Sequence, residues 1–213
     1  CPRISLNNIM NLANNFLRLD TLDLSSNLFT EIPTRAFQPK NNSQLGTQLQ
    51  VILLDNNNIT SIGSFAFFNL TNLISVHLIN NEINKIQNNG LTFGKSIRSY
   101  GPNINLSNNN LTSKSFLEKS IENVIGSRIH IYLYNNPIDF LPKNVFKPYV
   151  HQKLVTLYFD RKDNITCDCK MKWIIELDYK DKNLFKDLYC KNFDKFIGKV
   201  QPYEIGRCID ESD

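Results

Sequence analysis

Five cysteines and three histidines are the residues of this chain best suited to covalent or metal chemistry. Cys167, Cys169, Cys190 and Cys208 follow one another with the spacing C-x-C-x20-C-x17-C. Four thiols in one segment either form two disulfides or hold a zinc ion. Zinc sites are usually built from paired C-x-x-C knuckles. A C-x-C followed by two isolated cysteines departs from that pattern and favours disulfides, hence an oxidising compartment. Cys1 is left over, as a free thiol, as half of a bridge to another chain, or as half of a bridge to a cysteine upstream. His77, His130 and His151 are the imidazole bases. No G-x-S-x-G, H-E-x-x-H or glycine-rich phosphate loop accompanies them, so no catalysis, cofactor or metal is expected.

The elements that must position these residues belong to an ordinary globular chain. With 41% hydrophobic and 21% charged residues over 213 positions, the chain can bury a sizeable core and is not expected to be disordered. A net charge of +4, spread without a long basic block, gives little support to a nucleic-acid groove. No run of about 18 apolar residues occurs, so no membrane span is expected in this chain. The opening "CPRISLNN" lacks the basic and apolar regions of a signal peptide. Either a leader has been removed or the chain begins inside a longer protein.

Asparagine supplies thirty residues, and their placement is periodic. The segments "LDTLDLSSNLFTEI" (19–32), "LQVILLDNNNITSI" (49–62) and "LISVHLINNEINKI" (73–86) share the frame L-x-x-L-x-L-x-x-N-x-L-x-x-I. It recurs less cleanly in "INLSNNNL" (104–111), "IYLYNNPI" (131–138) and "LVTLYFDRKDNI" (154–165). The fixed position holds Asn27, Asn57, Asn81, Asn109 and Asn136, with Lys162 sixth, at intervals of 30, 24, 28, 27 and 26 residues. Such a series of coils is a solenoid, resembling the leucine-rich-repeat family over nearly the whole chain. The x-L-x-L-x stretch of each coil then makes a short parallel strand with its leucines inward. The turn that follows buries main-chain polar groups, each costing about 1–3 kcal/mol if unpaired. A carboxamide both donates and accepts, so the five asparagines form a structural ladder between coils. Within "NNN", Asn57 is expected inside, with Asn56 and Asn58 facing out. Phe37, Phe67 and Phe146, at matching offsets, form a convex spine, and residues 38–48 and 96–103 form loops.

The segment "CDCKMKWIIELDYK…LYC…GRC", with Trp173, is similar to the cysteine-rich C-terminal cap of extracellular leucine-rich-repeat proteins. That resemblance implies the pairs Cys167–Cys190 and Cys169–Cys208, and a short amphipathic helix laid across the open end of the last coil. It also implies a horseshoe-shaped α/β solenoid. Short parallel strands form its concave face, the convex side is irregular or helical, and a disulfide-bonded cap closes the C-terminal end. Residues 1–18 read as the remnant of an N-terminal cap, whose other cysteines lie upstream of Cys1. Residues 19–162 read as about six repeats, and 163–213 as the C-terminal cap.

Six N-x-S/T sequons, at Asn41, Asn58, Asn69, Asn105, Asn110 and Asn164, fit an extracellular, secreted glycoprotein. Asn105 stands in the fourth strand pointing out of the concave face, where a sugar would obstruct that surface. The outward positions of that face run from aliphatic and acidic at the N-terminal end to aromatic at the C-terminal end. The N-terminal coils carry Leu53 and His77, and the C-terminal coils carry His130, Tyr132, Tyr134 and Tyr158. Large rigid rings with polar tips suit a protein-binding surface, although tyrosine is also a good strand former. His77 and His130, two coils apart, are about 10 Å from one another, too far to share a metal ion. The expected role is therefore protein–protein recognition through the concave face, with no nucleic-acid partner. Two further roles fit the same resemblance. One is a non-catalytic stabilising subunit of a secreted complex, as in small arthropod proteins resembling the non-catalytic subunit of shrimp luciferase. The other is an ectodomain fragment of a receptor or adhesion protein. The short ending "CIDESD", which starts at the last cysteine, favours a soluble protein among these.

Overall fold

In the computed structural model, residues 6, 18–38, 48–94, 101–121, 128–163, 165–206 and 208 are described. Alternating apolar residues in each coil form the strands β1 (Thr21–Asp23), β2 (Val51–Leu53), β4 (Ser75–His77), β6 (Asn103–Asn105), β7 (Ile129–Tyr132) and β8 (Val155–Tyr158). All pair in parallel with the next coil, in chain order. The register aligns Leu22, Ile52, Val76, Ile104, Ile131 and Leu157 as one inward row, at most 9% exposed. Each such side chain contributes about 1.5–3 kcal/mol by leaving water.

The sheet has a seventh strand, β9 (Phe185–Lys186), which pairs with β8 through Leu157 and Tyr158. This strand comes from the segment expected to serve only as a lid. The cap thus continues the solenoid before closing it, and Phe185 takes the inward position.

At the turn after each strand, two adjacent residues divide the work. Ser26, Asn56, Asn80, Asn108 and Asn135 all adopt φ between 53° and 56°. Asparagine is among the few residues that enter this left-handed region at low cost. The first four donate their backbone N–H to the next coil, to Asp55 O, Ile79 O, Ser107 O and Tyr134 O. The exposed carboxamides also link to one another. Asn135 Nδ2 donates to Asn108 Oδ1, Asn108 to Asn80 and Asn80 to Asn56, at 2.8–3.0 Å.

The second residue of each pair is buried. Asn57 Nδ2 donates to Leu24 O of the preceding coil and Leu54 O of its own, both at 3.0 Å, while its Oδ1 accepts from Phe29 N–H. Asn81, Asn109 and Asn136 repeat the pattern, accepting from the N–H of Ile59, Ile83 and Leu111. The inner ladder is therefore carboxamide to main chain. Asn27 is exposed and donates within its own turn, to Leu24 O and Ser25 O. Lys162, sixth in the sequence frame, is exposed as well, and Asp163 beside it turns inward instead. Asp163 Oδ1 accepts from Asn135 N–H, filling the role that a main-chain carbonyl of the next coil has in the other turns, and Oδ2 accepts from Asp160 N–H.

The convex side carries its own ladder. β3 (Ser61–Ile62) pairs in parallel with β5 (Lys85–Ile86), and single bridges extend the column to Ile32 and Phe116. Gly63 is required there, because a Cβ would lie 2.4 Å from Thr34 N. Phe37 stacks on Phe67 at 5.4 Å, and Phe67 on Phe93 at 5.8 Å. Phe146, on helix α1 (Lys143–His151), meets the edge of Phe116 at 5.1 Å. Phe93 and Phe116 also belong to the spine, although they stand 12 and 7 residues after Asn81 and Asn109, whereas Phe37, Phe67 and Phe146 stand 10 after Asn27, Asn57 and Asn136.

At the C-terminal end, Cys167–Cys190 and Cys169–Cys208 are disulfide-bonded. Short helix α2 (Lys172–Ile175) buries Trp173, whose Nε1–H donates to Leu141 O at 3.0 Å and whose ring meets Phe185 edge-on. Helix α3 (Tyr179–Lys182) leads into β9, and an antiparallel pair, β10 (Tyr189–Cys190) with β11 (Lys195–Phe196), finishes the cap. Among the described residues, no helix is long and apolar enough to cross a membrane. Cys1, most of the 38–48 and 96–103 loops, Asn41 and Asn164 lie outside the described residues.

Candidate functional site

β7 and β8 position the aromatic residues. Side chains alternate along a strand, so His130 and Tyr132 share the concave face of β7, and Tyr158 stands opposite Tyr132 on β8. The rings of Tyr132 and Tyr158 stack with centroids 4.4 Å apart and planes 16° apart. Across the diagonal, His130 Nδ1 and the Tyr158 hydroxyl are hydrogen-bonded at 3.0 Å. Tyr134 meets Tyr132 edge-on at 5.9 Å, where the chain leaves β7. All four are half-buried, so the rings hold one another while leaving faces and edges open to a partner.

The electrostatics favour neutral groups. Burial, and then the nearby Arg128 cation, hold the His130 pKa below its ordinary 6.5, so the imidazole is neutral at physiological pH. Burial, and then the adjacent Tyr132, push Tyr158 upward, while Arg128 opposes the shift. Tyr134 rises through burial first, then through Tyr132 and Asp187. What results is a surface of ring faces, phenol hydroxyls and one neutral imidazole, held in place by its own ring and hydrogen-bond contacts.

The remaining residues expected to bind a partner or carry a glycan are spread along the solenoid, and of these Asn105 adjoins the cluster. The register puts Asp23, Leu53, His77, Asn105, Tyr132, Tyr158 and Lys186 in one row. Leu53 and His77 are neighbours in that row, but Asn105 separates His77 from Tyr132. His130 lies in the parallel row with Ser75 and Asn103, offset from His77 by one outward position as well as two strands. Asn105 is half-buried, and its Oδ1 accepts from Ser107 N–H and Oγ–H. Asn58, Asn69 and Asn110 are exposed. Thr156, an outward strand position, is only 2% exposed. His151 lies on the convex side, in a groove of about 750 Å³ with Lys143, Lys147 and Glu118.

The aromatic surface also extends onto the cap. Tyr134, Phe159, Asp160, Arg161, Asp187 and Phe196 line a cleft of about 290 Å³ between the last turns and the β10–β11 pair. Phe196 is 40% exposed and meets Tyr189 edge-on at 5.3 Å. Arg161 lies 4.7 Å over the Tyr189 ring and donates to its hydroxyl, which in turn donates to Asp194. These cap residues follow no repeat frame, so periodicity carries no signal for them.

A family model described as "Leucine rich repeat" matches residues 47–99. No curated protein matches the chain. Among solved structures, one from the Drosophila Toll–Spatzle complex is similar over 93% of this chain and 30% of its own, at 19% identity and a TM-score of 0.46. The chain thus spans about a third of that protein's length. Human 5T4, named Wnt-activated inhibitory factor 1 and trophoblast glycoprotein, is similar over 86% of each chain, at 16% identity and a TM-score of 0.36. With its seven parallel strands, repeated turn asparagines and two terminal disulfides, the fold is a leucine-rich-repeat solenoid closed by a disulfide-bonded C-terminal cap.

Proposed function

We propose that this protein is a secreted, glycosylated recognition module that binds a protein partner on its concave face, without catalysing a reaction. The stacked Tyr132–Tyr158 pair, with His130 bonded to Tyr158, carries this reading. Aromatic rings already fixed in place lose little side-chain freedom when a partner docks, so their contact area is converted efficiently into affinity. Two disulfides and exposed sequons support an extracellular setting. The partner engages the C-terminal half of the face, around His130, Tyr132, Tyr134 and Tyr158, while Leu53 and His77 form a separate, weaker contact region. Material purified from its natural source tests the reading. Light scattering after gel filtration should give a mass above one glycosylated chain, with a second polypeptide in the same peak. A lone chain that crosslinks to nothing through its tyrosines would contradict it.

A further inference from the structure

The cleft beside Tyr134 has a chemistry distinct from that of the flat aromatic patch. Its walls include the rings of Tyr134 and Phe196, and three charged residues line it, Asp160, Asp187 and Arg161. Arg161 is already engaged. Its guanidinium lies over Tyr189, hydrogen-bonds the Tyr189 hydroxyl and stands 3.9 Å from Asp194. Asp160 accepts from the backbone N–H of Lys162, a neutral donor that leaves its charge uncompensated. Among the described residues, neither Asp160 nor Asp187 has an ion-pair partner within 4 Å. Asp187 follows β9 directly, in the left-handed conformation at φ 58°. The cleft thus combines aromatic walls with two unbalanced carboxylates, and it joins the aromatic patch through the Tyr132–Tyr134 contact.

We propose that this cleft receives a lysine or arginine side chain of the protein partner, its cation facing Asp160 and Asp187 and its stem lying against Tyr134 and Phe196. This proposal rests on the reading of the concave face as the partner surface. Other occupants fit less well. A partner carboxylate would meet two like charges, with Arg161 already committed. An apolar side chain would strip water from both carboxylates and return nothing to them. A basic side chain offers a methylene stem for the rings and a cation that interacts with both ring faces and carboxylates.

NMR titration of the folded, disulfide-intact protein with the methylamides of Nα-acetyl-lysine and Nα-acetyl-arginine tests this inference. The ring signals of Tyr134 and Phe196 should shift saturably in the millimolar range expected of a single side chain. The neutral Nα-acetyl-glutamine methylamide should leave them unmoved. Asp160→Asn with Asp187→Asn should weaken the titration by roughly tenfold or more. Tyr158→Ala lies outside the cleft and should leave the titration intact while weakening partner binding, which separates failure of this inference from failure of the partner surface. Shifts equal for the glutamine compound, or unchanged in the double aspartate variant, would overturn the proposal. So would choline binding tenfold more tightly than either amino-acid compound, since that would mark a site for free small amines.

Discussion

Asn109 reaches Leu78 O in the coil before it and Leu106 O in its own, at 2.9 and 3.0 Å, while its Oδ1 accepts from Ile83 N–H at 2.9 Å. One buried carboxamide thus fastens two coils. Asn109→Ala leaves Ile83 N–H without a partner, while Leu78 O and Leu106 O keep their bonds from Asn81 and Asn136, and should destabilise the protein by about 1–3 kcal/mol. Asn27→Ala removes bonds confined to an exposed turn and should cost less than about 1 kcal/mol. Urea unfolding of the two variants side by side measures the difference. Equal losses would show that the ladder bonds do not hold the coils.

The residue before each ladder asparagine responds to a different substitution. Asn80 adopts φ 55° and is exposed, so Asn80→Ala should cost about 1–2 kcal/mol through backbone strain. Asn80→Gly relieves the strain and should lose less, although it forfeits the links to Asn56 and Asn108. Thermal unfolding with glycine below alanine would contradict a left-handed requirement at this position.

Asp163 stands in for a main-chain carbonyl at the turn after β8, accepting from Asn135 N–H and Asp160 N–H while buried. Burial raises its pKa above the ordinary aspartate value, and the two N–H donors only partly offset this. The folded chain then binds a proton more readily than the unfolded one. This group's contribution is fully present below the unfolded pKa and is lost as pH rises through the folded value. The stability of the wild type relative to Asp163→Asn should therefore increase as pH falls from 7 toward 3, as followed by urea unfolding at a series of pH values. A difference that shrinks on acidification would reverse the sign and refute the burial argument.

The repeated parts of the fold are plainer in the sequence than its ends, because of what each residue must satisfy. Inward leucines and ladder asparagines recur because every coil poses the same packing and hydrogen-bonding problem, so Asn57, Asn81, Asn109 and Asn136 stand out by spacing alone. At the ends the problem changes, and the frame misleads. Asn27 has no buried role among the described residues, and Asp163, one place beyond Lys162, does the inward work. The paired asparagines carry a second signal that the repeat period does not expose, because Asn56, Asn80, Asn108 and Asn135 fill a left-handed position. For the proposed binding surface, alternation places His130, Tyr132 and Tyr158 on one face. The cleft depends on how the cap folds back, which no repeat dictates.

A glycan on Asn105 would stand between His77 and Tyr132 in the outward row, beside the aromatic patch. Asn105→Gln, which removes the sugar, should leave partner affinity unchanged or strengthen it, as measured by surface plasmon resonance with the copurifying polypeptide. Weaker binding would assign Asn105 or its glycan to the contact itself.

Everything proposed for the concave face depends on Tyr132 and Tyr158 touching the partner. The decisive experiment purifies the wild type and the Tyr132→Ala, Tyr158→Ala double variant from the natural source and compares the amount of second polypeptide carried by each. Circular dichroism must first show the same melting temperature for both. We expect the wild type to carry the partner and the double variant to lose most of it, with affinity reduced at least roughly tenfold. Full retention of the partner by an equally stable double variant would contradict this assignment of the surface.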